Sequence, residues 1–162
     1  MSLSVIGHDP GVTGGLIHIR DGVAVDWMRI PMDGRRVNAT KVFEWMMAMS
    51  PVSFLISEKV QSIPGDTPMT AWSFSGAEHA VIACAQIAGI VDHFVTPQTW
   101  QKAILQGQPV ATRQQRISAT FAFAAHRFPA LDDVLQIKAN DGIASAACIA
   151  EFGLRLRRAN RI

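Results

Sequence analysis

The stretch "VIGHDPGVTGGLIHI", residues 5–19, decides the fold. It sets one carboxylate, Asp9, between a short apolar run and a glycine-rich turn, with a second apolar run beyond the turn. Such runs read as adjacent strands, so Val5 and Ile6 carry the chain through the core and Asp9 emerges where the first strand ends. A lone carboxylate at that point is costly unless something positive meets it. Asp9-Pro10-Gly11 also reads as a plain turn, because Asp, Pro and Gly each favour reversals. A metal site there would need further oxygen ligands converging from other elements.

On either side of that stretch the first strands span residues 3–8, 14–20 and 23–30, the last two joined at Asp21-Gly22, a hairpin signal. They form an antiparallel meander. Asn38 caps a helix that runs to about Met49, and Pro51 ends it. "VSFLISEKV" (52–60) is then a buried strand, and the helix before it makes it parallel to the first. "QSIPGDTPMTAWSF" (61–74) has no periodicity and reads as a long loop into a small-residue helix, "GAEHAVIACAQIAG" (76–89). "VDHFVTP" is a further strand, with Thr96 capping and Pro97 opening the helix "PQTWQKAIL". Thr112 and Gln115 fit a capping box for a helix that ends near Phe128-Pro129. A last helix begins near Asn140 or Asp141. The order β-β-β-α-β-α-β-α-α-α predicts an α/β fold: a mixed sheet in which an antiparallel β-meander is followed by parallel strands, with helices on both faces.

With 162 residues, 49% of them hydrophobic, the chain can bury one core, and a single domain over 1–162 is expected. Cys84 and Cys148 show no CxxC spacing, which predicts two buried, reduced thiols in a cytoplasmic protein. No signal-peptide pattern or membrane-length apolar run occurs, so no membrane partner is expected. The net charge of +2 is unevenly spread. Residues 1–92 carry 6 Lys+Arg against 9 Asp+Glu, net −3, whereas residues 93–162 carry 9 against 4, net +5. That asymmetry suits a polyanion, although solvated helix faces produce the same count.

Two more carboxylates stand at element ends. Glu58 shares a strand face with Ile56 and Val60, apolar company for a glutamate, and it cannot pair with Lys59 on the opposite face simply by being its neighbour. Asp141 in "KANDGIASAACIAEF" reads first as an N-cap. If the strands bearing Asp9 and Glu58 are neighbours, a helix start packed over them would deliver Asp141 as a third carboxylate.

"GHDPGVTGGLI", "LISEKVQSIPG", "VTPQTWQKAIL" and "KANDGIASAACIAEFG" occur in the order and approximate spacing of the RuvC-type Holliday junction resolvases, and the chain resembles in particular the phage-like members of that family. The resemblance covers nearly the whole chain and implies the ribonuclease H-like fold. It implies that Asp9, Glu58 and Asp141 are metal ligands, that each active site takes two Mg²⁺ ions, with Mn²⁺ as a substitute, and that the ions serve in-line phosphodiester hydrolysis. It also implies a catalytic or DNA-contacting role for Lys102, base stacking by Trp72 in the segment that also holds Met69 and Phe74, and DNA-backbone contacts for Arg113 and Arg116. The partners it implies are branched DNA, a four-way junction, and a second copy of the chain, since two symmetric cuts need a homodimer. The helix 76–89 is a candidate for that contact.

The chain departs from the family at one point: Ala144-Ser145-Ala146 stands where the family has Ala-Asp-Ala. Either Asp141 completes the site alone, or Asn140 or a water bridges, or activity is weakened. A non-catalytic or weakly active branched-DNA binder with a degenerate metal site is therefore the alternative. A nucleotide-binding reading of Asp9, Gly11 and Thr13 would need two such domains. Among the histidines, only His8 stays open, because it adjoins Asp9.

Overall fold

The computed structural model describes residues 2–11, 13–59 and 68–162, and residues 68–74 by their backbone only. The meander is β1 (Ser4–Asp9), β2 (Gly15–Arg20) and β3 (Val23–Arg29). Asp21 and Gly22 both adopt positive φ, 52° and 83°, the conformation that a two-residue hairpin between right-twisted strands requires. A small hairpin follows, β4 (Met32–Asp33) and β5 (Arg36–Val37), in a stretch to which the sequence assigned no element. Then come α1 (Ala39–Met49), β6 (Phe54–Glu58), α2 (Pro68–Ile87), β7 (Asp92–Val95), α3 (Pro97–Ile104), α4 (Arg113–Arg127), the short α5 (Asp132–Leu135) and α6 (Asp141–Arg158). The main sheet has the order β3-β2-β1-β6-β7, with β1 antiparallel to β2 and parallel to β6.

One expectation needs correction. The stretch 61–74 is not loop throughout, because α2 begins at Pro68, two turns before the expected start; residues 60–67 lie outside the described residues. Proline is at home in a first helical turn, where its missing N–H costs nothing, so "PMTA" opens a helix although it lacks apolar periodicity. The caps at Asn38 and Thr96 and the capping box of Thr112 with Gln115 all form.

Strand alternation divides the core in two. Val5, Ile17, Ile19 and Ile56 point to the face covered by α3, α4 and α6, where Trp100, Ile104, Ala124 and Ile149 meet them. Ile6, Leu16 and Leu55 point to the other face, against Val42, Met46, Val81 and Ala85 of α1 and α2. Both cysteines are buried and free. The helix α6 lies unusually close to the sheet: a Cβ at Gly7 would collide with the Ala146 carbonyl and with Ala150. Its segment Gly142–Leu154 is buried almost throughout, which is why it is written in alanine and glycine. No helix among the described residues is long and apolar enough to cross a membrane.

Candidate metal and nucleic-acid site

Register brings two of the carboxylates together. His8 pairs with Ser57 in the parallel β1–β6 ladder, so one residue later Asp9 and Glu58 stand level, each at the end of its strand. Both alternate with Gly7 and Ile56, which places them on the face that α6 covers. The third arrives by backbone docking. Gly14, just past the turn after β1, bridges to Gly142, and a Cβ at Gly142 would collide with the Thr13 carbonyl. Asp141, the residue before, is thereby pinned at the mouth of the site.

Asp9, Glu58, Asp141 and Ser145 line one cleft of about 300 Å³, together with Trp100, Gln101, Arg113, Arg116, Ile117, Thr120 and Phe121. Burial first, then the charges of Glu58 and Asp141, hold the Asp9 carboxyl well above the usual carboxylate range, opposed by a hydrogen bond with the Ser145 side chain. Burial also raises Glu58; a hydrogen bond from the Trp100 indole, Nε1 to Oε2 at 2.6 Å, opposes that rise, and the nearby Glu78 adds to it. Among the described residues, no three His, Cys, Asp or Glu side chains form a ready-made cage for an ion. The carboxylates instead share the walls of an open cleft, an all-oxygen donor set whose crowded negative charge a hard divalent cation would relieve.

The other residues singled out from the sequence fall as follows. Arg113 and Arg116 reach the cleft from the first turns of α4. Lys102 is exposed on α3 and is not part of the lining, where Gln101 stands instead. The backbone of Trp72 lies in α2, but its side chain, like those of Met69 and Phe74, is outside the described residues. The Asn140 amide is already engaged on both sides: Oδ1 accepts from Arg29 Nε at 2.7 Å and Nδ2 donates to the Val134 carbonyl at 2.7 Å. His8 points to the α1 and α2 face, where its Nδ1 meets Ser57 Oγ at 2.9 Å and burial lowers its pKa to about 3. It belongs to the core.

Sequence reasoning missed Trp100 and Glu78. In an amphipathic helix a tryptophan passes for core, and Trp100 is indeed 2% exposed, yet its N–H is aimed at Glu58. Glu78 offered a signal: it falls in the stripe with Ile82 and Ala85, the apolar face of α2.

Solved structures share this architecture. RuvC from Thermus thermophilus matches over 99% of this chain and 98% of its own, with a TM-score of 0.65 at 16% sequence identity. The chain has a RuvC-like ribonuclease H fold. A second structure, T. thermophilus RuvC in complex with a Holliday junction substrate, matches over 98% of this chain and 97% of its own, with a TM-score of 0.62 at 14% identity. The yeast mitochondrial Holliday junction resolvase Ydc2 aligns more loosely, with a TM-score of 0.45 at 9% identity. No family model and no curated protein matches the chain. At these identities the RuvC-like likeness is one of fold.

Proposed function

We propose that residues 1–162 form one nuclease domain, akin to the phage-like resolvases, that hydrolyses branched DNA with divalent metal and takes four-way junctions as substrate. One observation carries the reading: Asp9, Glu58 and Asp141, from the ends of two adjacent strands and the start of a helix, line a single cleft that Arg113 and Arg116 also enter. Acids gathered without a cation raise one another's pKa, an arrangement that costs stability unless it serves a ligand.

Asp9, Glu58 and Asp141 would hold Mg²⁺, which when bound supplies an activated water and stabilises the leaving 3′ oxygen. Trp100 fixes the Glu58 carboxylate by taking one of its oxygens. Arg113 and Arg116 grip the phosphates flanking the bond to be cut, and Lys102 and Trp72 contact DNA further out. The Ser145 side chain favours the ionised form of Asp9 by hydrogen bonding to it. A homodimer would present two such sites to a symmetric junction.

A second reading is favoured by Ser145 itself: a cleft wall with a hydroxyl where a carboxylate would add charge suits a protein that binds junctions and cuts them weakly or not at all. Cleavage of a synthetic four-way junction in Mg²⁺ by the purified protein, with Asp9→Asn as control, separates the two. Cutting that Asp9→Asn abolishes supports the nuclease; metal-independent binding without cutting supports the binder.

A further inference from the structure

The hairpin β4–β5 sits at the same end of the sheet as the cleft. The last residue of β3, Arg29, pairs with Gly15, which in turn pairs with Asp9, and the Ile30 N–H donates to the Gly14 carbonyl at 3.1 Å. The chain thus leaves the sheet at the level of Asp9, and two residues later the hairpin begins. It is held firmly. Of its two residue pairs, Met32 and Val37 pack onto the core beneath α1 and α2, while Asp33 stands opposite Arg36. The Asn38 N–H donates to the Pro31 carbonyl at 2.8 Å, and Asn38 Nδ2 donates to Asp33 Oδ2 at 2.8 Å.

At its tip Gly34 takes a positive φ of 61°, and Arg35 and Arg36 follow, both exposed. Among the described residues neither guanidinium has a hydrogen-bond or ion-pair partner. Arg20, Arg29, Arg127, Arg155 and Arg157 each donate to a protein acceptor and Arg116 gives one nitrogen to the Val110 carbonyl, whereas among the described residues Arg35 and Arg36 share their lack of a partner only with Arg113 in the cleft and with Arg158 and Arg161 at the far end of α6. A rigid turn that presents two adjacent unspent guanidiniums is suited to phosphate, whose oxygens match the arginine fork.

We propose that the β4–β5 hairpin is a second DNA-backbone contact, with Arg35 and Arg36 gripping phosphates of a duplex arm as it leaves the cleft. The cleft opens on the α4 and α6 face and the hairpin packs on the α1 and α2 face, so the two arginine pairs bracket the site end of the sheet from opposite sides. A duplex laid across that end offers phosphate to both. The hairpin then fixes the direction of the arm and reads no base. This inference rests on the DNA-binding part of the proposed function.

The test is the salt dependence of binding of a labelled four-way junction and a labelled duplex, without divalent metal. Arg35→Ala/Arg36→Ala is expected to lower the slope of log affinity against log salt by about two units, about one per lost phosphate contact, with the melting temperature unchanged. Arg35→Lys/Arg36→Lys is expected to keep most of the slope. Arg157→Ala/Arg158→Ala, the same charge loss at the far end of α6, is expected to leave it unaltered. An unchanged slope in the hairpin variant overturns the proposal while the nuclease reading stands. An equal loss from both alanine pairs overturns it too, since net charge would then account for the effect. If the unaltered protein binds neither DNA, both the hairpin contact and the nuclease reading fall.

Discussion

Asp9 and Glu151 are two acids of one core with opposite company. Glu151 is 3% exposed on α6 and sits between two guanidiniums, Arg127 Nε at 2.9 Å and Arg155 Nε at 3.0 Å. Through them it ties α4 to α6 and, by way of Arg127, to the Gly22 carbonyl of the first hairpin turn. Asp9 lies near Glu58 and Asp141, and the one group drawing it toward the charged form is a serine. A buried acid that brings its cations is part of the architecture; a buried acid surrounded by acids is arranged for something that comes and goes.

The widest gap between the two is expected from neutralising each. Asp9→Asn should cut metal-dependent junction cleavage by about a thousandfold or more, the several kcal/mol of charge stabilisation a held metal supplies, while the metal-free protein becomes more stable. The pH dependence carries the sign. The folded pKa of Asp9 is raised, so its contribution to stability is fullest below the unfolded value and is lost as pH rises through the folded one. Stability of the unaltered protein minus that of Asp9→Asn, measured by denaturant unfolding without metal, should therefore rise on acidification. The lowered pKa values of His8 and His18 act in both proteins and cancel. A difference that falls on acidification would break the comparison.

Glu151→Gln should do the reverse. It leaves cleavage per folded molecule unchanged and costs about 2 kcal/mol of stability, the scale of losing charge-assisted hydrogen bonds. Urea unfolding checks the cost and a junction-cleavage assay the activity. Ser145→Asp sharpens the contrast from the other side: one more acid beside Asp9 should lower the Mg²⁺ needed for half-maximal cleavage and lower metal-free stability by about 1 kcal/mol. If neither moves, Ser145 does not act on the metal. The smallest effect is expected from Trp100→Phe, which keeps the ring but removes the donor to Glu58; Mn²⁺ affinity, read by titration without DNA, should weaken by about threefold to tenfold.

What could be read in advance follows from where each signal lies along the chain. Asp9, Glu58 and Asp141 were legible because each interrupts an apolar or alanine-rich run at an element end, and the element order fixed which ends meet. The two-residue strands β4 and β5 show no period, being too short to have one. The assignment of Lys102 turned on helix rotation: one residue is about 100° of turn, enough to put Gln101 in the cleft and Lys102 outside it. Asn140 was one of several bridging options beside Asp141, and only the fold reveals that Arg29, far away in sequence, donates to its Oδ1. Trp100 was ambiguous because burial and function make the same demand on it.

The close seat of α6 on Gly7 also sets a timetable for synthesis. The strand β1 is made first among the elements of the sheet, yet the helix that covers its α6 face is made last among those described. At translation speeds of about 5–20 residues per second, that face of the central strand waits on the order of ten seconds for Ala146 and Ala150 to appear. Asp9 and Asp141 meet only then. A nascent chain therefore holds no assembled cleft, and whatever chemistry the cleft performs is withheld until the polypeptide has been extended through α6.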